Sequence, residues 1–184
     1  MSPAVRTVRL GFARSARQAR RTPALALVFP VVPALAMVGV YAQLLSRMSD
    51  VPGFPAPSYV DWMAAGAVTV VPMTGAAFSG MALATDVRDG YIDRIRLLPV
   101  SLLAFLGGRV TFDAVRMLPA ATTVVLVAAA LGADYDLDPA GVAALAVMIS
   151  LWTIAYAALF SLIAVRTGSP EAVQAAFPIF APLT

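Results

Sequence analysis

Four stretches of this chain, residues 23–45, 62–85, 111–131 and 140–165, are long, apolar and nearly free of charge. The hydrocarbon core of a bilayer is about 30 Å thick, and a helix crosses it in about 20 residues. Inside lipid every backbone N–H and C=O has to be satisfied within its own segment, so such stretches fold as helices. Composition agrees: 60% of the residues are hydrophobic and 12% charged, against about 25% charged in a soluble domain. The sequence therefore describes an all-α integral membrane protein, a continuous bundle over 23–184 preceded by an amphipathic segment at 1–22. It holds four full spans and the start of a fifth, because the last apolar run, 172–184, is too short to cross.

Details within the spans set further expectations. Pro30 and Pro33 bend the start of the first span, and Pro72 kinks the second. Tyr59 and Trp62 suit the membrane interface. Ala76, Gly80 and Ala84 recur every fourth residue, which permits close helix contact, although an alanine-rich chain produces that spacing by chance as well. Asp113 and Arg116 stand three apart near the start of the third span, as a local ion pair would. The central thirds of the four spans carry no ionisable residue on these boundaries, which argues against an ion-coupled transporter.

The first 22 residues place Arg6, Arg9, Arg14, Arg17, Arg20 and Arg21 on one side of a helix and Val5, Val8, Phe12, Ala16 and Ala19 on the other. Such a helix lies on an anionic inner leaflet with its basic face on the lipid headgroups. The other arginines follow the same logic. The amino terminus, the 85–109 loop and the turn at Arg166 hold the arginines together with Arg116, whereas the loops at 46–60 and 132–139 hold only Arg47. The positive-inside rule puts the arginine-rich side, and the amino terminus, in the cytoplasm. The net charge of +3 thus reports membrane topology, and no nucleic-acid partner is expected.

Absent residues narrow the chemistry. The chain has no Cys, His, Lys or Asn, and Glu171 is its one glutamate. Disulfides, thiolate or imidazole metal sites and a lysine-bearing phosphate loop are excluded. Ser79, Ser150 and Ser161 have no histidine partner, so no catalytic residue and no metal site is expected. If the chain moves something, the energy comes from another polypeptide.

The stretch 85–109 (TDVRDGYIDRIRLLPVSLLAFLGGR) is the most charged internal segment, and residues 88–98 suit a short amphipathic helix before Pro99. Asp86, Arg88, Asp89, Asp93, Arg94 and Arg96 can pair across an interface while Tyr91, Ile92 and Ile95 fill a groove. A solvated loop that only sets topology fits the same residues, and both readings stand at this point.

This stretch carries a resemblance. Asp89, Gly90, Asp93, Arg94, Leu98, Pro99, Gly108 and Arg109 follow an acidic–Gly, Asp-Arg, Leu-Pro, Gly-Arg order similar to the cytoplasmic loop of ABC-2 type exporter permeases, and more narrowly of daunorubicin/doxorubicin-resistance exporters. FSGMALATD before it resembles the end of that family's second helix, and PEAVQAAFPIFAPLT the beginning of its fifth. The resemblance implies a six-helix subunit in a dimeric permease of a bacterial inner membrane, with ATP and Mg bound on a separate ATPase subunit. That subunit would grip residues 86–99, Gly90 and Pro99 included, and residues 1–22 would be the interfacial connecting helix. The family's helices continue past the position of Thr184, so the chain is expected to be shortened or a piece of a longer one.

The expected function is then the membrane-spanning subunit of an exporter that moves a drug or another lipophilic compound. The alternative from a different class is a non-transporting membrane scaffold, or an inactive remnant of such a permease.

Overall fold

A computed structural model describes residues 3–23, 28–56, 58–134 and 138–180. In chain order these form α1 (Pro3–Arg21), α2 (Phe29–Ala36), a π-helical turn Met37–Tyr41, a short turn Ala42–Leu44, and a 3-10 turn Ser46–Asp50. There follow α3 (Tyr59–Arg88), α4 (Tyr91–Arg96), α5 (Leu102–Ala130), α6 (Pro139–Thr167) and α7 (Pro170–Phe180). No strand occurs among the described residues.

Each long helix starts at a residue that supplies a cap. Ser58 accepts the Asp61 N–H at 3.1 Å, Ser101 the Ala104 N–H at 3.3 Å, and Asp138 the Gly141 N–H at 2.7 Å. Such caps are worth about 1 kcal/mol each. Asp61 also accepts the Asp134 N–H at 3.0 Å, tying the start of α3 to the loop that follows α5. The centre of that acidic loop, 135–137, lies outside the described residues, as do 24–27 of the first apolar stretch and 181–184 of the last.

Among the described residues α3, α5 and α6 are long and apolar enough to cross a membrane, and the first stretch supplies a shorter apolar helix, Phe29–Tyr41. The helical path of the first stretch, 29–44, lies within the expected span 23–45, of which 24–27 fall outside the described residues. Pro30 and Pro33 remove two backbone donors from α2, and the register shifts at Met37–Tyr41, where the π turn includes Gly39.

A correction concerns α5. It begins at Leu102, well ahead of residue 111, because the Ser101 cap starts a helix that runs straight through Gly107 and Gly108. On these bounds Asp113 and Arg116 fall near the middle of a 29-residue helix, and Arg109 joins them on it. On the helix's own bounds the central third is not free of ionisable groups, because the apolar window alone put the helix start too late.

The bundle centres on α3, against which α2, α5, α6 and α7 all pack, while α1 lies along α5. Lipid tails are as apolar as leucine, so helices associate in lipid by close fit rather than by escape from water. Ala76, Gly80 and Ala84 are all buried. A Cβ on Gly80 would stand 2.7 Å from Phe160 Cβ and 3.1 Å from Val173 Cγ1, so the small stripe is the seam where α6 and α7 meet α3. On α1 the buried positions are Thr7, Gly11 and Ser15, a small-residue stripe flanked by the half-buried Val8, Phe12, Ala16 and Ala19 of the apolar face read from the sequence, while Val5 is exposed. A Cβ on Gly11 would collide with the Phe105 carbonyl, and one on Gly108 with the Val8 carbonyl. The two glycines therefore let α1 and α5 cross backbone to backbone.

Two apolar cores result. One joins Val31, Val38, Val68, Val71, Met117 and Val124; the other gathers Leu83, Ile92, Ile95, Phe105, Phe160 and Val173 around the α3–α4 turn. Most of α6 faces outward with Val142, Val147, Leu151, Ile154 and Leu162 exposed, as a lipid-facing surface requires.

Candidate functional site

The charged segment is built on a sharp turn. α3 is capped by the Asp89 N–H, which donates to the Thr85 carbonyl at 2.9 Å. Gly90 follows at φ +70°, a left-handed conformation that favours glycine, and starts α4 in a new direction. The result is a short helix, Tyr91–Arg96, held across the ends of α3 and α5.

α4 sorts its side chains cleanly. Ile92 is 1% and Ile95 5% exposed, both packed in the second core. This corrects the expectation that they fill a partner's groove: they anchor α4 to its own subunit. The amphipathic spacing is the same for either role, so the sequence could not separate the two. Arg88, Asp89, Asp93, Arg94 and Arg96 face outward, continued by Leu97, Leu98 and Pro99. Asp93 and Arg96 pair at 3.1 Å with both side chains more than half exposed, a contact worth little by itself. Arg88 lies 3.9 Å from Glu171 at the start of α7. The Ser169 hydroxyl donates to Glu171 at 2.7 Å and, with a backbone N–H and Arg88, holds its carboxyl below the usual glutamate range.

Behind α4 runs a seam of buried charge. Asp86 accepts from Arg14 Nη2 at 2.8 Å through Oδ1 and from Arg109 Nη1 at 3.3 Å through Oδ2. Arg109 is 4% exposed and also donates to the Ser79 carbonyl at 2.6 Å and the Ser79 hydroxyl at 3.3 Å. Asp113, 3% exposed, accepts from Arg116 Nη2 at 3.0 Å, and Arg116 also reaches the Gly75 carbonyl at 3.3 Å. The expected Asp113–Arg116 pair is thus present, but as a buried one. The contacts extend along about 16 Å of α3, from Asp86 to Gly75, one turn past Pro72.

Two sequence expectations change here. Asp86, assigned to an external contact, is 14% exposed and turned between α1 and α5. Arg14, assigned to the membrane-facing basic side, pairs with Asp86, and its guanidinium sits 3.4 Å from the centre of the Tyr91 ring. Arg6, Arg9, Arg17, Arg20 and Arg21 do stand on the exposed side of α1. The residues that sequence reasoning missed are Arg109 as a buried hub and Ser79 as its partner. The available signal was an arginine set directly after two glycines inside an apolar run (LLAFLGGRVTF).

Between α1, α3 and α5 this seam borders a cavity of about 280 Å³, whose lining includes Gln18, Phe78, Ser79, Phe112, Asp113 and Arg116. A cavity with both aromatic and charged walls suits an amphipathic guest rather than a purely apolar one.

Helices of this length and apolarity, joined by small-residue seams and by charges that pair with one another, define a multi-pass membrane protein. The chain belongs to the ABC-2 type transporter family, whose model matches residues 6–184, from α1 to the end of the chain. No curated protein and no solved structure matches it at a significant level. The family supplies the membrane component of ABC transporters, which work with an ABC ATPase partner.

Proposed function

We propose that this chain is the permease subunit of an ABC exporter, pairs with a second copy of itself, and takes up the work of ATP hydrolysis through α4. ATP and Mg belong to the partner ATPase. The carrying observation is the two-sidedness of α4. Its outward residues Asp93, Arg94 and Arg96 offer charges to a partner, while Ile92 and Ile95 fix the helix to the ends of α3 and α5. A load applied to the outer face is then delivered to the core rather than lost in a loose loop.

The buried seam supports the same reading. Displacement of α4 strains Tyr91 against Arg14, and Arg14 is bonded to Asp86, which is bonded to Arg109. The push thus reaches α1, α3 and α5 together. The amino terminus and the 85–109 segment lie in the cytoplasm of a bacterial cell on this reading, as the arginine distribution requires. The substrate is a lipophilic or amphipathic compound of the drug class, a reading carried by the loop's likeness to daunorubicin-type exporters and by the mixed lining of the cavity.

Replacing Asp93 and Arg94 together by Ala tests the contact. Interface anchors cost about 2 kcal/mol or more when truncated, so recovery of the ATPase in pull-down and efflux should both fall by more than about tenfold. Unchanged recovery with unchanged efflux refutes the contact.

A further inference from the structure

α1 carries a second polar feature that the coupling role leaves unused. Arg14, Arg17, Gln18 and Arg21 fall within two turns on one helix face and, with Tyr91 opposite, line a cleft of about 430 Å³. Among the described residues three guanidiniums line it and no carboxylate does. Arg14 is engaged, its Nη2 with Asp86 at 2.8 Å and its guanidinium 3.4 Å from the Tyr91 ring centre, which leaves Arg17 and Arg21 as the exposed cations of the cleft. Arg17 is oriented by its Nε, which donates to the Ala13 carbonyl at 3.3 Å. Planar guanidiniums gathered in this way match the oxygens of a phosphate, which accept paired N–H donors.

We propose that this cleft binds the phosphodiester headgroup of an anionic lipid. The neighbouring cavity argues for a lipid over a free phosphate. Gln18 lines both spaces, and beyond it Ala19, Thr22, Phe78, Met81 and Phe112 wall the second one. A basic pocket that meets, at one side chain, a cavity with aromatic as well as charged walls suits a molecule with a phosphate at one end and an acyl chain at the other, so on this reading a lipid competes with the exported compound for that cavity. α1 is moreover a basic helix whose Arg17, Arg20 and Arg21 are exposed, as side chains that meet headgroups have to be. A bound lipid would bridge α1 to Tyr91, and so to α4.

The site is independent of any ATPase, so its test separates it from the coupling reading. The full chain, purified in mild detergent, is titrated with phosphatidylglycerol bearing an acyl-chain nitroxide, and the immobilised fraction is read by electron paramagnetic resonance. The Arg17→Gln/Arg21→Gln pair should lose affinity at least tenfold. The Arg6→Gln/Arg20→Gln pair removes the same charge outside the cleft and should change it less than threefold. Soluble glycerophosphoglycerol should displace the labelled lipid from the unmodified protein, a readout that does not depend on how the variants fold, and labelled phosphatidylcholine should give no immobilised component. Equal losses from the two arginine pairs, or equal binding of the two lipids, would reduce the cleft to a diffuse basic surface and overturn the proposal. Full displacement by micromolar inorganic phosphate would assign the site to a free anion and overturn it as well.

Discussion

Asp86 links α1, α3 and α5 through Arg14 and Arg109, and Asp86→Ala measures what that link is worth. The substitution leaves Arg109, 5% exposed in its side chain, without its nearest carboxylate, and releases Arg14 from α3. Removing one member of a buried ion pair costs about 3–5 kcal/mol. Two features reduce that here. Arg109 keeps its two contacts to Ser79, and Arg14, 26% exposed, keeps the Tyr91 ring and gains water. The expected loss is about 2–4 kcal/mol. It is read from reversible unfolding of the purified protein in mixed micelles, with Asp89→Ala as the exposed comparison, expected within about 0.5 kcal/mol of the unmodified chain. The Asp86→Ala/Arg109→Ala double variant should depart from additivity by at least about 1 kcal/mol, because both remove the same contact. If Asp86→Ala matches Asp89→Ala, and the double variant is additive, the seam does not hold these helices together.

Other outcomes follow from the same geometry. Gly108→Ala should cost about 1–3 kcal/mol because its Cβ meets the Val8 carbonyl, whereas Gly107→Ala, which meets open space, should be neutral or stabilising by up to about 1 kcal/mol; thermal unfolding of the two variants side by side decides it. Gly90→Ala should cost about 1–2 kcal/mol by placing a side chain at φ +70°, and efflux should fall with it, since α4 takes its direction from that residue. Glu171 has a depressed folded pKa, so its contribution is present above the ordinary glutamate range and is lost as pH falls through the lower folded value. Glu171→Gln should flatten the acid side of the stability profile while leaving the neutral region little changed.

Much of the architecture can be read from apolar length alone. The stretches at 62–85 and 140–165 lie inside α3 and α6, which extend them by three residues at each end of the first and by one and two at the ends of the second. The 111–131 stretch misplaced the start of α5 because Gly107, Gly108 and Arg109 resemble a turn when nothing is known of their neighbours. Gly108 makes sense in a helix only once Gly11 is known to lie against the same helix. The buried seam was hidden for a related reason. Arg14 and Asp86 are 72 positions apart, and no local pattern announces that one will neutralise the other. The Asp113–Arg116 pair, one helical turn apart, was visible at once. Ile92 and Ile95 were recognised as the apolar face of α4, but periodicity does not say whose core that face fills.

The account rests on helices crossing a bilayer with α4 on the cytoplasmic side, and the chain itself offers the cleanest probe, since it contains no cysteine. Leu97→Cys places one thiol beside α4 at an 86% exposed position, and Val51→Cys places one in the loop between α2 and α3 at a 56% exposed position. Right-side-out membrane vesicles are treated with a membrane-impermeant maleimide before and after permeabilisation. The account predicts that Val51→Cys reacts at once and that Leu97→Cys reacts only after permeabilisation. Immediate labelling of Leu97→Cys in sealed vesicles would place α4 outside the cell and contradict both the topology and the coupling to a cytoplasmic ATPase.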